Sequence, residues 1–114
     1  MAEKQKELQK VYTLLVQVGR IENDGLPKGS TGAALMCYSS GANEAEAVRE
    51  TVAIIKQAKL SPLDVTGYGT ISEREAEGEA IEDEEKDLMQ RALDENSVVV
   101  AQFMPLYDKG EIGQ

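Results

Sequence analysis

The segment that decides the fold is Asn43–Pro62, whose sequence reads NEAEAVRETVAIIKQAKLSP. Its apolar residues recur every three or four positions, which places them on one face of an α-helix. Asn43 followed by Glu46 three residues later is typical of a capped helix start, and Pro62 cannot continue a helix. The segment therefore predicts one amphipathic helix, which needs an apolar surface to pack against.

The sequence on either side of this helix predicts strands, which would supply that surface. These segments are rich in β-branched and apolar residues and are bounded by turn signals. A second helix is predicted from about Glu79 to Glu95 by the spacing of its apolar residues. The four predicted strands are Val11–Ile21, Ala33–Ser40, Leu63–Ile71 and Val98–Met104, the last of which is ended by Pro105. The element order is therefore ββαβαβ.

This order predicts a single α+β domain over residues 1–114, with a polar lead-in at 1–9 and a loose tail at 108–114. The simplest packing is a two-layer sandwich, with both helices on one face of a four-stranded mixed sheet. Such a fold resembles ferredoxin-like α+β domains in general terms, although the strand order differs. Three of the predicted strands are apolar on both faces, so the uncovered face needs a second cover. A second copy of the chain is the simplest source, which predicts a homodimer.

The composition disfavours several classes of function. The chain has 21 acidic and 12 basic residues, so its net charge of −9 argues against binding the phosphates of a nucleic acid. It has no histidine, which removes the commonest general base and metal ligand, and Cys37 is interpreted as a small buried hydrophobe. No signal peptide or apolar stretch of membrane-spanning length is visible. We therefore expect a cytoplasmic, non-membrane protein with no cofactor, and the absence of these groups favours a non-enzyme.

The acidic residues are concentrated in one segment. Residues 73–87 hold nine carboxylates and two basic side chains, whereas residues 1–20 carry a net charge of +2. An acidic edge can steer a basic partner by its long-range field, and the alternative is a solvated helix face that keeps the protein soluble. The residues predicted to contact a partner are Glu75, Glu77, Glu82 and Glu85.

The same segment has the spacing of a calcium-binding loop. Glutamates alternate from Glu73, Gly78 occupies the sixth position and Glu84 the twelfth. Glutamates replace the shorter ligands usual in such loops, however, and a strand rather than a helix is predicted before them. We interpret the segment as a charged loop that leads into a helix and predict no metal site.

Two further sets of residues are candidates for binding a small molecule. Ser39, Ser40 and Gly41 lie at a strand-to-helix junction, where hydroxyls and free N–H groups attract anions, and the alternative role is capping. Gly67, Tyr68 and Gly69 leave room for a ligand to approach the backbone. The glycine-rich loop Gly25–Gly32 has the ingredients of a phosphate cradle, but a strand follows it where a phosphate-binding loop needs a helix.

Two functional hypotheses follow. The first is a small acidic interaction or regulatory module, homodimeric and non-enzymatic, that engages a basic protein partner as an inhibitor, an antidote or a regulatory subunit. The alternative is a protein that binds a small anion or metabolite, or a minor enzyme, with its pocket near the first strand-to-helix turn. Salt-sensitive capture of a basic protein would favour the first hypothesis, and thermal stabilisation by small anions would favour the second.

Overall fold

A computed structural model of the chain describes residues 9–107, which form four strands and three helices. The elements in chain order are β1 Lys10–Gly19, β2 Gly32–Gly41, α1 Glu44–Gln57, β3 Ser61–Thr70, α2 Ile71–Ala76, α3 Asp83–Glu95 and β4 Val98–Leu106. The predicted α+β class is confirmed. The predicted lead-in, apart from Gln9, and the predicted tail at 108–114 lie outside the described residues.

The strands form one sheet in the order β3-β1-β2-β4, and all three neighbouring pairs are antiparallel. The predicted mixed sheet is therefore wrong, and the ferredoxin-like arrangement is not confirmed. The physical reason lies in the position of β1. The strands β2 and β3, which α1 connects, run parallel to each other, but β1 lies between them and pairs with both.

The two long helices, α1 and α3, lie on opposite faces of this sheet. Leu35 and Cys37 of β2 belong to a buried cluster with Ile55 of α1, whereas Tyr38 belongs to a cluster with Met89 of α3. Because successive residues of a strand point to opposite faces, α1 covers one face and α3 covers the other. This replaces the predicted pair of helices on one face. The connection from β3 to β4 joins the two edges of the sheet and places α3 on the second face as it crosses.

This arrangement explains the apolar residues found on both faces of the strands. The second cover that the sequence required is α3 of the same chain, so the two apolar faces by themselves no longer call for a dimer. Among residues 9–107, no helix has both the length and the apolar character needed to cross a membrane.

Short-range signals account for the starts of two helices, α1 and α2. Asn43 caps α1 by accepting a hydrogen bond from the backbone N–H of Glu46 at 2.9 Å, as its spacing predicts. Thr70 and Glu73 form a reciprocal capping box that starts α2, a helix that was not predicted. Pro105 lies inside β4 rather than ending it, because an edge strand pairs on one side only and tolerates a residue without an N–H.

Candidate functional site

An acidic groove crosses the part of the sheet beside α2 and the start of α3. It consists of three adjoining clefts of about 680, 160 and 460 Å³. Tyr68 and Glu79 line both the first and the second cleft, and Met36 and Arg74 line both the second and the third. The glutamates that line the groove are Glu44, Glu73, Glu77, Glu79, Glu82, Glu84 and Glu85. Among residues 9–107, Arg74 is the one basic residue in this lining, so the groove is strongly acidic.

Arg74 is held at the centre of the groove by hydrogen bonds to three residues. Its guanidinium donates to the Thr13 hydroxyl of β1 at 3.0 Å, to Glu85 of α3 at 3.2 Å, and twice to Glu79 at 3.0 and 3.1 Å. The side chain is only 11% exposed. Burial alone would lower the pKa of Arg74, but its hydrogen bonds to Glu79 and Glu85 raise that pKa above its ordinary value. Arg74 is therefore a fixed internal cation whose charge the fold already neutralises.

Glu85 belongs to the same network and is not a freely solvated side chain. Its Oε1 accepts from the hydroxyl of the buried Tyr38 at 2.6 Å as well as from Arg74. Burial and the bond to Glu85 raise the pKa of Tyr38 to about 12. The Glu85 carboxylate therefore connects α3 to Tyr38 in the sheet. The residues next to Glu85 in the sequence do not indicate this structural role.

The predicted partner-binding residues are partly brought together. Glu77, Glu82 and Glu85 line the acidic groove, and Glu77 and Glu82 are exposed. Glu75 does not line the groove, and its Oε2 lies 3.8 Å from the Lys86 ammonium.

The outer end of the groove has aromatic walls. Tyr12 and Tyr68 line it together with Gly67 and Gly69, two of the glycines that the sequence singled out. A Cβ on Gly67 would overlap the carboxylate of Glu44, so this glycine lets a carboxylate approach the strand. Burial raises the pKa of Tyr12, and the negative charges of Glu73 and Glu44 raise it further.

The residues predicted at the strand-to-helix junction do not form part of this groove. Ser39 and Ser40 point to opposite faces of β2 and are both buried. The Ser39 hydroxyl is hydrogen-bonded to Thr51 of α1, and the Ser40 hydroxyl donates to Asn96 Oδ1 at 3.0 Å. A Cβ on Gly41 would meet the backbone N of Ala47 at 2.8 Å, so this glycine serves the close packing of α1. The hydroxyls are therefore used within the fold.

The other predicted motifs also have structural explanations. The loop between β1 and β2 is organised by Arg20, which donates to Asp24 at 2.9 Å and to the backbone oxygens of Pro27 and Ser30 at 3.1 and 2.8 Å. Cys37 is fully buried, as predicted, and burial raises its pKa to about 11.

The glutamates that have the spacing of a calcium-binding loop do not form one loop in the structure. Glu73 and Glu75 lie in α2, whereas Glu84 lies in α3. Within residues 9–107, no group of three or more cysteine, aspartate or glutamate side chains is placed to hold a metal ion.

Two residues of the groove had no signal of their own in the sequence. Glu44 and Arg74 come from α1 and α2, so only the fold brings them together. The one local signal available was the capping pattern of Thr70 and Glu73, which could have located α2 and with it the position of Arg74.

Comparison with known proteins assigns a family without assigning an activity. No curated protein and no solved structure matches the chain. Residues 11–107, which span all four strands and all three helices except the first residue of β1, match a family model described as a domain of unknown function, DUF8846. The chain therefore belongs to this domain family.

Proposed function

We propose that the chain is a small acidic interaction module, non-enzymatic and cytoplasmic, that engages a basic protein partner through the acidic groove. The observation that carries the proposal is the lining of the groove, in which seven glutamates face one arginine. Two of these glutamates already neutralise Arg74, and Glu73 caps α2. The remaining glutamates provide negative charge for a partner.

Those remaining carboxylates are Glu44, Glu77, Glu82 and Glu84. Among residues 9–107, none of the four makes an ion pair or a side-chain hydrogen bond. Exposed carboxylates in a concave site form charge-assisted hydrogen bonds with lysine or arginine heads, and two or more such pairs define the position of a bound segment. An inhibitor, an antidote and a regulatory subunit would all use such a surface.

The apolar and aromatic parts of the groove suit the stems of the same side chains. Tyr12 and Tyr68 form walls at one end, and Met36 and Leu88 line the other end. Lysine and arginine bury their hydrocarbon stems along such surfaces, and their charged heads are attracted to the faces of aromatic rings. The chemistry of the groove therefore favours a basic segment over an acidic or purely apolar one.

The test is fluorescence anisotropy with a labelled octa-arginine peptide at low salt. The groove variant is Glu77→Gln/Glu82→Gln, and the matched control is Glu22→Gln/Glu50→Gln, which removes the same charge from exposed sites in the β1–β2 loop and on α1. Exposed ion pairs contribute up to about 1 kcal/mol each, so the groove variant should bind about tenfold more weakly. The control should change the Kd less than about twofold, and 0.5 M NaCl should abolish binding to every variant.

Two results would overturn the proposal. Equal weakening by the groove and control variants would mean that the peptide senses only the net charge of the protein. Binding that persists at high salt would mean that the contacts are not electrostatic. Circular dichroism of each variant checks that the fold is intact.

We also propose that the chain is a homodimer, joined through the outer edge of β4. The sequence of Val98–Leu106 contains no charged residue, and Val100 and Phe103 are each 45% exposed. Each edge strand has one proline next to an end, Pro62 in β3 and Pro105 in β4, but β3 also carries the exposed Asp64, a charge that discourages pairing with another strand. Because two copies with a net charge of −9 repel each other, an uncharged edge is the contact that costs least.

Sedimentation equilibrium at micromolar concentration tests the dimer. The protein should have twice the chain mass of 12.4 kDa. Phe103→Lys should give monomers, whereas Leu63→Lys, on the opposite edge and 67% exposed, should leave the dimer intact. A monomeric native chain would refute the dimer. Dissociation by Leu63→Lys would mean that the contact lies on the edge formed by β3 and not on the edge formed by β4.

A further inference from the structure

A separate cleft, of about 440 Å³, lies between the start of β1, α2 and α3, and within residues 9–107 it shares no lining residue with the acidic groove. Its inner wall includes the apolar side chains of Ile71, Met89 and Leu93. Lys10 and Lys86 line it as well, and no acidic side chain of the described residues does. We call this the lysine cleft.

The charge of the lysine cleft is opposite to that of its surroundings. The protein carries −9 overall and the neighbouring groove is lined by glutamates, yet the two charged residues of the described part of the chain that line this cleft are both lysines. Lys86 is 47% exposed in its side chain, and its ammonium lies 3.8 Å from Glu75. That separation is long for an ion pair and leaves the ammonium able to bind a second carboxylate.

We propose that the lysine cleft binds a small free monocarboxylate with a short hydrocarbon chain. The chain would pack against Ile71, Met89 and Leu93, and the carboxylate would lie between Lys10 and Lys86. A mostly apolar pocket of this size with a few polar groups at its margin is typical of small-molecule sites. Burial of the chain supplies affinity, and the two ammonium groups select for negative charge.

This site differs from the one that the sequence predicted for an anion, because Ser39, Ser40 and Gly41 do not line it. It is also independent of the proposed partner groove, so either proposal can fail without the other. A cleft of this volume suits one short chain rather than the surface of a membrane.

Isothermal titration calorimetry with octanoate tests the site. We expect saturable binding with one molecule per chain. Hexanoate should bind about tenfold more weakly, because two buried methylenes are lost. Octanol and octylamine, which have the same chain without the negative charge, should each bind at least tenfold more weakly than octanoate.

Charge variants then locate the binding. Lys86→Met should weaken octanoate binding about tenfold, and Lys10→Met provides a second test if the first variant does not fold. The matched control is Lys28→Met, an exposed lysine in the loop at the opposite end of β1. The proposal is overturned if octanoate shows no saturable binding at millimolar concentration. It is also overturned if octanol binds as tightly as octanoate, or if Lys28→Met weakens binding as much as the cleft variants.

Discussion

The hydrogen bond between Ser39 and Thr51 offers a stability test in which a second mutation should repair the first. Both residues are fully buried between β2 and α1. The Thr51 hydroxyl donates its single proton to the backbone oxygen of Ala47 at 2.7 Å. Ser39 must therefore donate the proton of the bond that joins the two side chains.

This assignment makes the two single substitutions unequal. Thr51→Val keeps the shape of the side chain but leaves the Ser39 hydroxyl as a buried donor without a partner, which costs about 1–3 kcal/mol. Ser39→Ala removes the donor and leaves Thr51 bonded to Ala47, so it should cost about 1 kcal/mol or less. The double variant has no unpaired donor, so its stability should be close to that of Ser39→Ala.

Urea unfolding of the four proteins measures these differences, and an unchanged m-value would show that the unfolding reaction is the same. Adding Ser39→Ala to Thr51→Val should raise the free energy of unfolding by roughly 1–2 kcal/mol, which for a domain of this size corresponds to several degrees in Tm. If the double variant is less stable than Thr51→Val alone, or if the two effects simply add, the assignment of the donor is wrong.

Three shorter predictions concern titration, metal and the thiol. The pKa of Asp24 is lowered to about 2, chiefly by its hydrogen bond from Arg20, so its contribution to stability should be complete above pH 4 and lost as the pH falls towards 2. Urea midpoints measured between pH 2 and 5 should lose part of their pH dependence in Asp24→Asn. Calcium should raise the Tm by no more than about a degree, and a saturable rise that Glu84→Gln removes would show that a site exists. Because burial raises the pKa of Cys37 to about 11, its thiol should react with a disulfide reagent at pH 8 only after urea is added, as followed by absorbance.

Local patterns predicted the elements better than their assembly. The first helix begins after Asn43 as the capping pattern indicates, because a cap and a helical repeat both act within a few residues. The strands were recognisable for the same reason. The short helix α2 was missed because the capping pattern at Thr70 lies where the third strand was expected to continue to Ile71.

The placement of the helices could not be read from local patterns. Strands that are apolar on both faces are compatible with a second copy of the chain or with a second helix of the same chain. Which of these occurs depends on the edge to which the chain returns after β3, and that depends on contacts between distant segments. A mixed sheet was expected because β2 and β3 run parallel to each other. The sequence does not show that β1 lies between them and pairs with both.

The candidate site was predicted in fragments. Gly67, Tyr68 and Gly69 were assigned to one site and the glutamates to another, whereas the structure places them along a single groove. Arg74 connects these two predicted sites. Its side chain looks like an ordinary exposed charge in the sequence and is largely buried in the fold.

The direction of the strands matters for how the protein is presented to a ligand. Because β1 and β4 are both antiparallel to β2, they run the same way, and Lys10 and Leu106 lie at opposite ends of the sheet. With about 3.3 Å per residue, these ends are roughly 30 Å apart. If the protein is attached to a sensor surface beyond Tyr107, its lysine cleft therefore faces the solution. If it is attached before Gln9, the sensor surface lies next to that cleft. A binding assay on a biosensor should therefore use the first attachment.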